Sequence, residues 1–192
     1  MTTASHRYGG PVGTTADDAA CAVAHGAPPA DGESRRLVVV FASPVAGHLL
    51  HFGRHLGYAT VLIDPAPDPV VDAGTTVVTA VDEADIDPST DVVVTDHHRA
   101  ELGAVLRDVL AQPARWIGVM GSPRRAGPHV DALRELGVEP AEIDRVHRPI
   151  GLNIGSRTPA EIAVATLAGL LADRAGRPGG FDFDAAPVAR LD

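Results

Sequence analysis

Short apolar runs rich in β-branched residues alternate with helical patterns through the middle of the chain, and this alternation narrows the possible folds more than any other feature. The runs Leu37–Phe41, Thr60–Ile63, Thr76–Thr79, Asp91–Thr95 and Arg115–Met120 are expected strands. Helices are expected near Val45–Leu56, Ala100–Ala111, Arg125–Leu136 and Pro159–Asp173. Near-continuous apolar strands are buried on both faces, which calls for a parallel sheet covered by helices. Gly57 and Gly137 stand just past two of the helices as stop signals. Thr158-Pro159-Ala160-Glu161 reads as a capping box with proline in the first turn. The body that follows, Ile162 to Leu171, is apolar nearly all round, so it belongs in the core or against a second subunit. The expected fold is α/β: a doubly wound, Rossmann-like parallel sheet with helices on both faces.

Composition fits that reading. The chain has 192 residues, 45% hydrophobic and only 4% aromatic, which suits one compact domain with an aliphatic core. Residues 1–36 lack helix or strand periodicity and read as a flexible leader, 37–175 as the domain, and 176–192 as a tail in which Phe181 and Phe183 are candidates for docking. The formal charge is −9, without a basic stripe interleaved with aromatics, so no nucleic-acid partner is expected. A lone cysteine, Cys21, excludes an internal disulfide and a CxxC motif and favours a reducing compartment. With no apolar run long enough to cross a bilayer and no signal-peptide pattern, the expectation is a cytoplasmic protein without membrane contact.

In a doubly wound sheet, ligands bind beyond the carboxyl ends of the strands. Four loops lie there. The first, Phe41-Ala42-Ser43-Pro44-Val45-Ala46-Gly47, lacks the early glycines that let a backbone approach pyrophosphate. Ser43 and the helix start are still candidates for one small anion, and Asp64 stands at the spacing of a ribose-binding acid or caps the turn Asp64-Pro65. The second loop, Thr95-Asp96-His97-His98-Arg99, offers a carboxylate, imidazoles and a guanidinium to one ligand, or else Asp96 caps the next helix above solvated histidines.

The third loop, Gly121-Ser122-Pro123-Arg124-Arg125, brings a turn, a hydroxyl and two cations to a helix start and reads as an anion site. In the fourth, Pro149 to Thr158, glycines around Leu152-Asn153-Ile154 hold the backbone close to a ligand or to the third loop, or form a tight structural turn. Asn153 and Gly155 are its candidates for ligand contact.

The stretches "WIGVMGSPRR", "RPIGLNIGSRTPAEIAVATLAG" and "VVVTDHHRAEL" closely resemble the C-terminal Rossmann domain of the XdhC/CoxI family over about Leu37 to Arg174. These are accessory proteins of molybdenum hydroxylases such as xanthine and carbon monoxide dehydrogenases. The resemblance implies a dimeric chaperone that binds the molybdenum cofactor (molybdopterin), protects it while a cysteine desulfurase adds a sulfido ligand, and delivers it to the apo-hydroxylase. Gly121, Ser122, Arg124 and Arg125 match the family's Gly-Ser-Arg/Lys turn. Pro149 to Pro159 match its Pro-Ile-Gly-Leu-Asp-Ile-Gly segment, with Asn153 in the acidic place, and its Thr-His-Asp segment is rearranged here to Thr95-Asp96-His97-His98. Many members carry a preceding domain with a glycine-rich cysteine motif. Here Cys21 stands in the leader, so any such contact is absent, differently built, or supplied by another subunit.

On this reading the cofactor's phosphate falls to Ser122, Arg124 and the helix start, and its ring to Asn153 or Asp96. A mononucleotide suits the same groups. Other classes remain open: an NAD(P)-dependent oxidoreductase, a metal-binding protein in which His48, His51 and His55 on one helix face join His97 or His98, and an inactive scaffold that retains a dimer surface. Three such histidines also suit a solvated surface, since no carboxylate completes a familiar ligand spacing.

Overall fold

A computed structural model describes His25 and residues 35–66, 75–122 and 127–179. Most of the expected leader with Cys21, the arginines Arg124 and Arg125, and the tail phenylalanines Phe181 and Phe183 lie outside the described residues. The chain divides into units Met1–Glu33 and Ser34–Asp192, and the fold is that of the second.

The elements run β1 (Arg35–Val40), α1 (Pro44–His55), β2 (Tyr58–Ile63), β3 (Thr76–Val78), a 3₁₀ turn (Val81–Ala84), β4 (Thr90–Val94), α2 (Leu102–Leu110), β5 (Trp116–Val119), α3 (Pro128–Glu135), α4 (Pro140–Ile143), β6 (Val146–His147) and α5 (Pro159–Arg174). All the strand pairs are parallel, in the order 3-2-1-4-5-6. This is the doubly wound Rossmann order, whose switch point lies between β1 and β4.

Two apolar layers explain why the strand sequences lack polar alternation. Val38 and Val40 of β1 point into one layer with Val92 and Val94 of β4 and Leu102, Val105, Leu106 and Val109 on the α2 side. Leu37 and Val39 point into the other with Val93, Ala46, Leu49 and Leu50 of α1, and Ala163, Leu167 and Leu170 of α5. Each β1 side chain from Leu37 to Val40 is fully buried. At roughly 1.5–3 kcal/mol per buried aliphatic side chain, these layers are the main stabilising term of the domain.

Several expected boundaries are corrected. Strand β1 begins at Arg35, two residues inside the expected leader, and ends at Val40. Phe41 leaves the strand with φ of +70°, and strand β5 is shorter than expected at both ends. The third helix starts at Pro128 rather than Arg125, with Gly127 as its N-cap. A proline three residues into a helix would clash with the preceding turn, whereas proline at the first position fits. Strand β6 and helix α4, two and four residues long, are too short to show a period. The capping box of α5 is present: Glu161 N–H donates to Thr158 Oγ1 at 3.3 Å, and Glu161 Oε2 accepts from Thr158 N–H at 3.1 Å. Its apolar body is buried on the sheet side through Ala163, Leu167 and Leu170, while Val164 is half-exposed.

Candidate functional site

At the switch point the first loop is closed by its own side chains. Ser43 is the N-cap of α1: its Oγ accepts from Ala46 N–H at 3.0 Å and donates to Thr95 Oγ1 at 3.0 Å. Thr95 in turn donates to the Phe41 carbonyl at 2.8 Å, tying the ends of β1 and β4 together. Asp64 is 1% exposed, and its carboxylate accepts from Ala42 N–H at 2.8 Å, Ala66 N–H at 3.0 Å and Arg99 at 3.3 Å. Arg99 lies over the Phe41 ring, 4.8 Å from its centroid, and also pairs with Glu101. The structure thus places Ser43 and Asp64 together, one as a helix cap and the other as a brace for two turns. Arg99 faces this brace.

Asp96 and His97 lie one step along the sheet. Asp96 Oδ1 accepts from His98 N–H at 2.8 Å and so shapes the loop, while α2 starts later, at Leu102. The His97 ring packs 4.1 Å from His98, between centroids, and hydrogen-bonds the backbone of Met120 at the end of β5. Burial pushes its imidazole below the ordinary value; His98 and Arg148 push the same way, and Asp96 opposes them.

The β5 loop is built around two basic side chains that sequence reading missed. A Cβ at Gly121 would stand 2.3 Å from Arg148 Nη2 and 2.7 Å from its Cζ, so the glycine leaves room for a guanidinium. A Cβ at Gly127 would stand 2.4 Å from His129 Cε1 and 2.5 Å from its Nδ1. Both glycines are therefore spacers for basic groups. His129, at the second position of α3, is 5% exposed, and its Nδ1 has no hydrogen-bond partner among the described residues. Burial holds this imidazole below its ordinary value, helped by Arg148 and then His97. The available signal was the pair Gly127-Pro128, which sets the helix start and puts a histidine in its first turn. Arg148 opens the family-like stretch "RPIGLNIG", but nothing in that wording marks it as a neighbour of Gly121. Ser122 is exposed beside Gly121.

The fourth loop approaches a helix backbone. At Gly151, with φ of +87°, a Cβ would stand 3.1 Å from Thr166 N, and Leu152 N–H donates to the Ala165 carbonyl at 3.0 Å. Asn153 and Gly155 are exposed further along, Gly155 with φ of +70°. On α1, His48 stacks on Phe52, and His51 meets Phe52 and His55 edge-on. Among the described residues no group of three or more His, Cys, Asp or Glu is placed to hold a metal ion. Nor is any described helix long and apolar enough to cross a membrane.

The arrangement defines a Rossmann-type domain with a closed first turn and a basic cluster, His97, His129 and Arg148, at the carboxyl ends of β4 to β6. The family model "XdhC Rossmann domain" matches residues 37–170, and the chain belongs to that family. It is 37% identical over 101 residues to the uncharacterized protein YqeB of Escherichia coli (strain K12), covering 53% of this chain and 18% of that protein. It also resembles a crystal structure described as a xanthine dehydrogenase from Bacillus halodurans. There the TM-score is 0.59 at 23% identity, over 80% of this chain and 45% of that one. The likeness to the solved structure is one of fold. The chain spans less than half the length of either relative.

Proposed function

We propose that this domain handles the molybdenum cofactor in the maturation of a hydroxylase of the xanthine dehydrogenase type, as a cytoplasmic chaperone and not as an enzyme that turns over a metabolite. The observation that carries the reading is the basic cluster beside a first turn occupied by its own residues. Molybdopterin ends in a phosphate monoester, and the unpartnered His129 Nδ1 and the guanidinium seated against Gly121 suit that group. Family membership and the printed description of the Bacillus halodurans structure support the choice of client.

When bound, the cofactor supplies the metal on which the client's redox chemistry runs. This chain's part is to bind and orient. Arg148, His129 and His97 would hold the phosphate, joined from sequence by Ser122, Arg124 and Arg125, while Asn153 and Asp96 offer hydrogen bonds to the pterin edge. A cysteine desulfurase, the apo-hydroxylase and a second copy of the chain are the partners of this reading. With Asp64 bracing two turns and Phe41 where a dinucleotide fold needs glycine, NAD(P) is the weaker ligand.

The test is purification of the untagged chain from cells that make the cofactor, followed by molybdenum analysis and fluorescence of the oxidised pterin. Wild-type protein is expected to carry pterin, and the Arg124→Ala/Arg125→Ala variant to carry much less. Pterin-free wild type, or a variant that retains as much as wild type, would overturn the proposal. Tight binding in an NADPH titration would favour the dinucleotide reading.

A further inference from the structure

We propose that Arg148, His129 and His97 form an oxyanion site, made for the phosphoryl end of a small molecule and assembled from the ends of β4 and β6 and the first turn of α3. The inference deepens the reading above but does not depend on which molecule carries the phosphate. Its first support is steric. Gly121 and Gly127 lie at the two ends of the β5–α3 connection, and a Cβ at either position would collide with a basic side chain from the cluster. Two glycines at one loop, each making room for a basic group, bring a guanidinium and an imidazole closer to the backbone than any other residue type would permit.

The second support is the state of His129. A side chain 5% exposed whose Nδ1 has no partner among the described residues is costly unless something pairs with it, since a buried polar atom has given up its water. An oxygen of a bound oxyanion would pair with it. The third is charge: among the described residues, the charged groups that act on His129 from other elements are Arg148, after β6, and His97, after β4. Neither is acidic. Burial first, then Arg148 and His97, hold the imidazole below its ordinary value, so a dianion at Nδ1 favours the protonated ring and gains a charge-assisted hydrogen bond. Affinity is then greatest below the free imidazole's pKa and falls as pH rises through the pKa of the liganded form.

The experiment uses the full chain with isotope-labelled histidine, titrated with inorganic phosphate, with sulfate, which stays dianionic while imidazoles titrate, and with adenosine monophosphate. Both inorganic anions are expected to shift the His129 ring signals and raise that residue's titration midpoint. Arg148→Gln is expected to weaken binding by about tenfold or more, and His129→Gln to leave weaker binding without its pH dependence. Gly127→Ala, which crowds the ring without removing it, is a second variant should His129→Gln fail to fold. An unmoved His129 signal, or unchanged anion affinity in folded Arg148→Gln, would overturn the site. Adenosine monophosphate binding no tighter than phosphate indicates a site that reads the phosphoryl group, whereas much tighter binding that survives Arg148→Gln would overturn it. If phosphate binds here but no pterin co-purifies, the site stands and the cofactor reading falls. If wild type carries pterin but neither phosphate nor sulfate moves the His129 signal, the site falls while a cofactor role resting on other groups stands.

Discussion

The two ends of β4 and β5 treat charge in opposite ways. At the amino ends, Asp91 is fully buried and accepts from Arg115 Nε at 2.6 Å, Arg174 Nε at 2.8 Å and the Tyr58 hydroxyl at 3.3 Å. Asp173 pairs with Arg115, and Arg174 also donates to the Ser89 carbonyl, so the end of α5 is tied to the sheet by a network that balances itself. At the carboxyl ends, Arg148, His97 and His129 gather with Asp96 as the acid acting on His97. One end joins opposite charges within the chain, while the other gathers basic side chains around the loop that follows β5. Stability and binding are therefore separable by mutation.

The largest expected effect is at the amino end. Asp91→Asn should lower unfolding free energy by about 3–5 kcal/mol in denaturant titration, because two guanidinium groups lose a buried counter-charge, while anion binding by the remaining folded protein is unchanged. Reduced binding in the folded variant would break the division between the ends. Next is Gly121→Ala, whose new methyl meets the movable tip of Arg148. Phosphate affinity should fall by about tenfold, with unfolding free energy changed by less than about 1 kcal/mol.

Ser43→Ala should cost about 1 kcal/mol of stability through loss of the α1 cap and leave phosphate affinity within error, which would sharpen the contrast between the first loop and the third. The smallest expected effect is a pH slope. His129 and His97 both lie below the ordinary histidine value when folded, so the unfolded chain binds more protons. Thermal stability should be fully present above about pH 6.5 and decline as pH falls toward the folded values. Added sulfate should reduce that decline, and His129→Gln should flatten it.

Much of the fold was legible in the chain because it rests on local or periodic signals. Thr158 and Glu161 sit three residues apart and cap α5 as expected. The valines of β1 and β4 announced a sheet buried on both faces, and Val38 and Val39 do enter opposite layers. β6 carries no period in two residues, and α3 starts at Pro128, where proline suits the first helical position, rather than at Arg125. The site was legible in part. The four loops are visible in sequence, but Arg148 and His129 gain their meaning from packing against Gly121 and Gly127, which no local pattern announces.

By itself the sequence determined the order of the longer elements, the parallel sheet, the capped last helix and the family, all of which depend on neighbours along the chain. The long-range partners of the polar groups were decided by tertiary structure alone. Only folding sets Asp64 against Ala42 and Arg99, Ser43 against Thr95, and Arg148 under Gly121. The reason is physical: hydrogen bonds and steric room act over a few ångströms in space, and these partners lie 22 to 52 residues apart in the hydrogen-bonded cases.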